Sequence, residues 1–296
     1  MPRAGHSAGQ TGGGIMPGIL PYLGSKHRIA RHIIGCFPPH TTYVEPFAGS
    51  ASVLLAKPRS PVEVYNDIDS RVVSLFRILR SPARAELLRR ACELTPFARE
   101  EYSTAPLRET GDEIEDARRF LFRSWAGFGS TGMLEKVTGF RSRDRGNRHH
   151  ARIWKDWPSF VPGFTARLRG VVIEHEPAMK CIARHDSPDT LIYADPPYLH
   201  STRKQVTHGQ RGYRHEMTDD DHRALAELLH RVEGMVVLSG YPSALYDELY
   251  GRWEQRDLKA IDQTRTARRE ILWLNPAASA ALRKARCQGE LLEARA

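Results

Sequence analysis

A chain of 296 residues with 41% hydrophobic and 27% charged residues has the composition of an ordinary globular protein with one sizeable core. No apolar run approaches the roughly 18 residues that a membrane-spanning helix needs, so we exclude a transmembrane helix. The formal net charge of +9 predicts an anionic partner, nucleic acid before an anionic membrane surface. A basic surface without a specific partner is the alternative.

Short β-branched runs ending in Gly, Pro, Asn or Asp alternate with helical stretches along the chain. Strands are predicted at residues 41–47, 62–67, 170–176, 191–195, 234–239, 253–261 and 269–275. Helices are predicted from Ser50, after the second strand through Arg80, and at residues 113–125, 219–231 and 243–250. This alternation is typical of an α/β fold whose mostly parallel sheet carries helices on both faces.

The alternation breaks at residues 95–162. Residues 127–157 are rich in Gly, Arg, His and Trp, and residues 136–155 hold seven Lys or Arg against one acid, Asp144. We interpret this segment as an insertion between the two halves of the sheet. It is either a DNA-contacting segment, in which arginines clamp phosphates and aromatic rings stack on bases, or a solvated basic loop.

The cysteines are widely scattered, at Cys36, Cys92, Cys181 and Cys287. They form no Cys-x-x-Cys pair and have no histidine at metal-ligand spacing. We therefore predict neither a metal site nor a disulfide framework, and a reducing, cytoplasmic compartment.

Two neighbouring strands end in residues suited to a ligand, which in open α/β sheets binds beyond the carboxyl ends of strands. The first ends in Glu45-Pro46-Phe47-Ala48-Gly49-Ser50, whose small residues allow close backbone approach before a helix begins. It is not Gly-x-Gly-x-x-Gly, so the dinucleotide fingerprint is absent. The second ends in Asn66-Asp67-Ile68-Asp69. An acid here can accept hydrogen bonds from two ribose hydroxyls, with helix capping by Asp67 or Asp69 as the alternative.

A third strand ends in Tyr193-Ala194-Asp195-Pro196-Pro197-Tyr198. Two prolines cannot continue a central strand, so the chain leaves the sheet in a stiff, extended conformation. The Asp195 carboxylate and the adjacent carbonyls are thereby fixed in direction, with an aromatic ring just beyond. This arrangement suits a planar ring that bears an amine; a strand-ending turn with a capping Asp is the alternative.

Four segments, in this order, resemble the DNA adenine methyltransferases of the dam type. They are Tyr22-Leu23-Gly24-Ser25-Lys26, residues 45–50, Asn66-Asp67-Ile68 and Asp195-Pro196-Pro197-Tyr198. The resemblance spans residues 21–275 and implies a Rossmann-like S-adenosylmethionine-dependent methyltransferase sheet with an inserted DNA target-recognition region. It divides the chain into a flexible tail (1–16), a discontinuous catalytic domain (17–94 and 163–280), the inserted region (95–162) and a C-terminal tail (281–296).

The resemblance also assigns roles to single residues. The implied cofactor-binding residues are Tyr22, Lys26, Glu45, Phe47, Gly49, Asp67 and Asp195, with Glu45, Phe47 and Gly49 at the methionine portion and Asp67 at the ribose. The implied catalytic residues are Asp195, Pro196, Pro197 and Tyr198. The family often has a second glycine where Ser50-Ala51 stand, and two glycines where Gly24-Ser25 stand. Both replacements are small, so we expect cofactor binding to survive.

The expected reaction is methyl transfer from S-adenosylmethionine to the N6 amine of adenine in double-stranded DNA. Asp195 and the Pro196 carbonyl would accept the amine N–H bonds, and the base would flip out of the duplex and stack on Tyr198. The predicted DNA-binding residues are Arg141, Arg143, Arg145 and Arg148 in the insertion and Arg203, Lys204, Arg211 and Arg214 in residues 199–217. A mobile basic loop is the alternative for the latter four.

Three other functions stay open on the residues alone. An N4-cytosine methyltransferase makes the same demands on the Asp-Pro-Pro-Tyr motif, and a catalytically silent DNA-binding protein could retain the fold. A dinucleotide-dependent oxidoreductase is disfavoured by the missing fingerprint. We expect a prokaryotic or phage-encoded cytoplasmic protein, solitary or part of a restriction-modification pair, and a monomer is compatible with the sequence.

Overall fold

The computed structural model describes residues 18–21, 26–104, 110–127, 139–142, 150–199, 201, 215–261 and 267–293. The strands are β1 (Thr42–Glu45), β2 (Val62–Asn66), β3 (Val172–Glu174), β4 (Thr190–Ala194), β5 (Met235–Gly240), β6 (Glu254–Ile261) and β7 (Ala267–Leu274). The helices are α1 (Ala30–Ile34), α2 (Ser52–Ala56), α3 (Ser70–Arg80), α4 (Pro82–Glu93), α5 (Arg99–Thr104), α6 (Glu113–Ala126), α7 (His150–Asp156), α8 (Val161–Leu168), α9 (Ala178–His185), α10 (Asp219–Leu229), α11 (Ala244–Tyr250) and α12 (Pro276–Glu293).

All seven strands form one sheet in the order β3-β2-β1-β4-β5-β7-β6. The five strands from β3 to β5 are parallel, and β7 lies antiparallel to both β5 and β6. The predicted mostly parallel sheet is therefore confirmed. From β1 the chain first builds outward through β2 and β3 and then returns to add β4 on the other side of β1. The carboxyl ends of β1 and β4 thus flank a topological switch point, where ligands bind in such sheets.

Alternate residues of the central strands pack into two separate cores. Tyr43 and Tyr193 belong to the core on one face, with residues of α1, α2, α3 and α12. Val44 and Ile192 belong to the core on the other face, with residues of α9, α10 and α11. Burial on both faces explains why β4 reads as a nearly continuous apolar run rather than an alternating one.

The helices of the predicted insertion share the first of these cores. Trp154 and Trp157 belong to the same buried cluster as Tyr43. The Trp154 indole donates to the Thr95 carbonyl at 2.8 Å, and the Trp157 indole donates to the Ile19 carbonyl at 3.1 Å. Residues 281–293 continue α12. The division into a catalytic domain, a target-recognition region and tails stays a prediction, and residues 1–16 lie outside the described part.

Ala51 has a left-handed backbone conformation, with φ of 52°, and is fully buried. It is the residue before α2, two positions after Gly49, whose φ is 49°. A Cβ in this conformation meets the following carbonyl, which costs about 1–2 kcal/mol. The loop therefore needs at Ala51 a backbone conformation that glycine adopts without strain.

We expect Ala51→Gly to change the free energy of unfolding by less than about 0.5 kcal/mol, because relief of strain offsets the lost methyl group and the gain in chain entropy. The matched control is Ala280→Gly, at an exposed position inside α12, which should cost about 1 kcal/mol. Urea unfolding of both variants makes the comparison. A loss at Ala51 as large as that at Ala280 would show that no strain is relieved.

Candidate active site

One pocket of about 330 Å³ lies where the strands β1, β2, β3 and β4 end. Its lining residues are Pro46, Phe47, Gly49, Asp67, Ile68, Asp69, Pro177, Ala178, Met179, Asp195, Pro197, His215, Glu216, Met217 and Asp221. The structure thus brings together the three strand-end segments singled out in the sequence. The Pro177–Met179 stretch, after β3, is a part of the wall that sequence reasoning missed.

The Asp67 carboxylate is held by backbone amides at the base of this pocket. Its two oxygens accept hydrogen bonds from the amides of Gly49 and Asp69, each at 2.8 Å, and only 7% of the residue is exposed. Burial raises the pKa of Asp67 to about 6. Asp69, and not Asp67, caps α3, because its side chain accepts from the Arg71 amide. The capping alternative therefore applies to Asp69, although both aspartates line the pocket.

Asp195 is the centre of a charged cluster in which Lys26 is the cation. The Lys26 ammonium donates to the two Asp195 oxygens at 2.7 and 2.6 Å and to the Tyr198 hydroxyl, and it lies 3.2 Å from a Glu270 oxygen. The Ser239 hydroxyl donates to Asp195 Oδ1 at 2.8 Å. The side chains of Lys26 and Glu270 are 4% and 5% exposed, whereas that of Asp195 is 19% exposed. Asp195 is therefore the carboxylate of this cluster that reaches the pocket.

The electrostatics of the cluster favour a charged Lys26. Burial alone would lower the pKa of Lys26, but Asp195 and Glu270 outweigh it and hold that pKa well above its ordinary value. Burial, and then the charge of Asp195, raise the pKa of Glu270. Two carboxylates share one buried ammonium, and the cluster stays ordered because each charge has a hydrogen-bonded partner.

Tyr198 is packed rather than open in this structure. The residue is 7% exposed, and its hydroxyl donates to Glu270 at 3.2 Å. The Tyr198 and Tyr241 ring centroids are 4.4 Å apart at an interplanar angle of 37°. Tyr241 therefore covers part of the ring on which a flipped base was predicted to stack. Pro196 is buried, while Pro197 lines the pocket.

Glu45 is not among the residues that line the pocket. It is buried, and one of its oxygens accepts from the Tyr43 hydroxyl at 3.2 Å and from the Leu54 amide at 3.1 Å. Burial raises the pKa of Glu45 to about 8. The carboxyl is therefore mostly protonated at neutral pH, and it joins the end of β1 to the first turns of α2.

Because of this raised pKa, protonation of Glu45 makes the free energy of unfolding depend on pH within a defined range. The folded state holds the proton up to about pH 8, whereas the unfolded chain releases it near pH 4.5, so stability falls as pH rises between these values. Glu45→Gln replaces the carboxyl with an amide that does not titrate but keeps an acceptor oxygen. We expect the variant to gain up to about 1.4 kcal/mol per pH unit relative to the native protein across this window. Parallel slopes in urea unfolding at pH 5 to 8 would contradict the assignment.

Most predicted DNA-binding residues lie outside the described residues, as does Tyr22. These are Arg143, Arg145, Arg148, Arg203, Lys204, Arg211 and Arg214. Arg141 is described and half-buried, and its guanidinium lies 2.6 Å from His150 Nε2. Its amide donates to the Ala126 carbonyl at 2.8 Å, which fixes Arg141 against the end of α6.

Two observations concern other classes of site within the described residues. No helix there is long and apolar enough to cross a bilayer. No three His, Cys, Asp or Glu side chains come close enough to hold a metal ion in the same part of the chain.

Comparison with known proteins shows a family resemblance over most of the chain. A family model described as D12 class N6 adenine-specific DNA methyltransferase matches residues 22–266. This range includes Lys26, Asp67 and Asp195 and ends before Glu270. None of the curated proteins compared with the chain matches it.

Proposed function

The chain belongs to the D12 class of N6 adenine-specific DNA methyltransferases, and on this premise we propose how its residues carry out the reaction. The substrates are S-adenosylmethionine and an adenine at a specific site in double-stranded DNA. The observation that carries the proposal is the position of Asp195. Its carboxylate joins the pocket lined by Asp67 to the buried cluster of Lys26 and Tyr198.

The pocket has the character that S-adenosylmethionine requires. Asp67 offers a carboxylate at a place suited to ribose hydroxyls, and its oxygens keep lone pairs beyond those used by the two amides. Ile68 and Met179 are 42% and 41% exposed beside it, and such apolar surface suits the faces of the cofactor's adenine ring. Phe47 and Gly49 would line the methionine portion. The cofactor supplies a methyl group activated by a sulfonium.

Asp195 would prepare the target amine for attack. The exocyclic amine of adenine is a weak nucleophile because its lone pair is delocalised into the ring. An N–H bond donated to Asp195, and a second one to the Pro196 carbonyl, favour a localised lone pair aimed at the pocket. Since Lys26 already donates to both Asp195 oxygens, the arriving amine competes with it for this carboxylate.

A base in a duplex cannot reach Asp195, so the target adenine has to flip out. Flipping costs a few kcal/mol, which stacking on an aromatic ring offsets in part. Tyr198 is the ring beside Asp195, and Tyr241 lies against it. We therefore propose that Tyr241 moves away from Tyr198 when the base enters.

The predicted basic segments would hold the phosphates on either side of the flipped base. We expect Arg143→Ala with Arg145→Ala to weaken DNA binding and to lower the slope of log K against log salt by about 2, one unit for each lost phosphate contact. Arg231→Ala is the control, because this exposed arginine precedes the amino end of β5, at the opposite edge of the sheet. An unchanged salt slope would indicate that residues 136–155 are a solvated loop that does not contact DNA.

Calorimetric titration with S-adenosylmethionine tests the proposed cofactor directly. We expect saturable binding that competes with S-adenosylhomocysteine. DNA binding without cofactor binding would instead support a catalytically silent DNA-binding protein with this fold.

A further inference from the structure

We propose that Glu270 is a positioning residue for methyl transfer, the second carboxylate to which Lys26 turns when the target amine takes its place on Asp195. This inference rests on the proposed role of Asp195. It concerns a residue outside the segment that the family model matches.

The topology brings Glu270 to the reacting edge of the sheet. Because β7 runs antiparallel to β5, its first half lies beside the carboxyl end of β5, and Ile271 pairs with Gly240. Glu270 precedes Ile271 and is 4% exposed. One of its oxygens lies 3.2 Å from Lys26 Nζ and 3.2 Å from the Tyr198 hydroxyl.

Lys26 competes with the target amine for the acceptor that the reaction needs. Its ammonium has three N–H groups, and in this structure it bonds to both Asp195 oxygens at 2.6–2.7 Å. When the amine donates to an Asp195 oxygen, it weakens the contact of Lys26 with that carboxylate, and a second carboxylate within reach offsets the loss, because a poorly paired buried charge is costly. Glu270 is already at 3.2 Å, the longest of these contacts, so a small rotation of the ammonium would shorten it.

The negative charge of Glu270 also weakens the ion pair between Lys26 and Asp195. With both carboxylates present, the ammonium divides its attraction between them. Without the Glu270 charge, Lys26 would pair with Asp195 alone, and the amine would have to displace a stronger ion pair. Since Glu270 also accepts from the Tyr198 hydroxyl, the same carboxylate fixes the ring at the entrance of the base.

The test is Glu270→Gln, which keeps the shape and removes the charge. We expect single-turnover methyl transfer to slow by about tenfold to a hundredfold, the effect of a small misplacement at a reacting centre. The dissociation constant for S-adenosylmethionine should stay within about twofold, because Glu270 does not line that pocket. Asp257→Asn is the matched control, an exposed acid on β6 paired with Arg269, and it should leave the rate unchanged.

A double-mutant cycle separates positioning from a merely structural contact. If Glu270 acts through Lys26, Glu270→Gln should cause little further loss of rate in a Lys26→Met background. Glu270→Asp keeps the charge and should be faster than the Gln variant. If the Gln variant does not fold, Glu270→Asp alone tests the inference. A lower kcat with an unchanged KM for S-adenosylmethionine would then support it.

Three results would overturn the inference while the native enzyme remains active. They are a native rate in Glu270→Gln, full additivity with Lys26→Met, and a change confined to cofactor affinity. Absence of methyl transfer by the native protein would instead remove the proposed function itself, so the two failures are distinguishable.

Discussion

Asp195→Asn should reduce the rate of methyl transfer by about a hundredfold to a thousandfold, the usual cost of removing one electrostatic contact to the reacting group. The amide nitrogen of Asn is a donor and cannot accept an N–H from the target amine. Lys26 would also lose the charge at its two contacts with Asp195, and Ser239 would lose an ionised acceptor. Incorporation of labelled methyl groups into DNA under single-turnover conditions measures the effect.

The matched control is Asp189→Asn, the same substitution just before the amino end of β4, the strand whose carboxyl end precedes Asp195. Asp189 is exposed, and this variant should transfer methyl groups at the native rate. Native S-adenosylmethionine binding by Asp195→Asn would show that its pocket is intact. A near-native rate in Asp195→Asn would refute the proposed mechanism.

Asp67→Ala should weaken S-adenosylmethionine binding by about tenfold to a hundredfold, since hydrogen bonds to a charged group contribute about 1.5–3 kcal/mol. The pKa of about 6 adds a pH dependence with a defined sign. Protonation removes acceptor capacity, so native affinity should fall as pH drops through 6. The Asp67→Ala variant should lack this dependence. Calorimetry at pH 5 to 8 measures both effects.

Asp186→Ala is the control for the structural part of the Asp67 effect. Asp186 also accepts from two backbone amides, those of Glu233 and Gly234, at 3.0 and 2.9 Å, but it lies away from the pocket. Both variants should lose stability, and only Asp67→Ala should lose cofactor affinity. Equal affinities of the two variants for S-adenosylmethionine would show that Asp67 only stabilises the loop.

Much of the fold could be predicted because it depends on local patterns. The strand runs and their terminating residues predicted the seven strands of the described residues, and the alternation with helices predicted the α/β class. The family match confirms the predicted N6 adenine methyltransferase and its Rossmann-like sheet, and it gives no support to the cytosine alternative. Cofactor and DNA contacts by single residues stay predictions.

The contacts around Asp195 could not be predicted, because they join distant parts of the chain. Lys26 and Asp195 are 169 residues apart, and only the sheet order brings Glu270 beside them. One signal for Glu270 was present in the sequence. It shares the buried face of β7 with Leu272 and Leu274, and an acid on such a face needs a partner.

The directions and partners of buried side chains were the other feature that could not be predicted from the sequence. The resemblance implies that Glu45 lies at the methionine portion of the cofactor, which stays a prediction. The structure adds that its carboxyl accepts from the Tyr43 hydroxyl and the Leu54 amide, which the sequence did not predict. Asp67 and Asp69 were equivalent as caps of α3 in the sequence, and only the backbone geometry separates them. The pairing of Tyr198 with Tyr241 depends in the same way on tertiary packing.

The most direct test is nucleoside analysis of DNA from cells that express the native protein or Asp195→Asn. Digested DNA would be separated and the modified nucleosides identified by mass. We expect N6-methyladenine with the native protein, at one sequence context, and a strong reduction with Asp195→Asn. N4-methylcytosine, or N6-methyladenine at native levels in the variant, would contradict it.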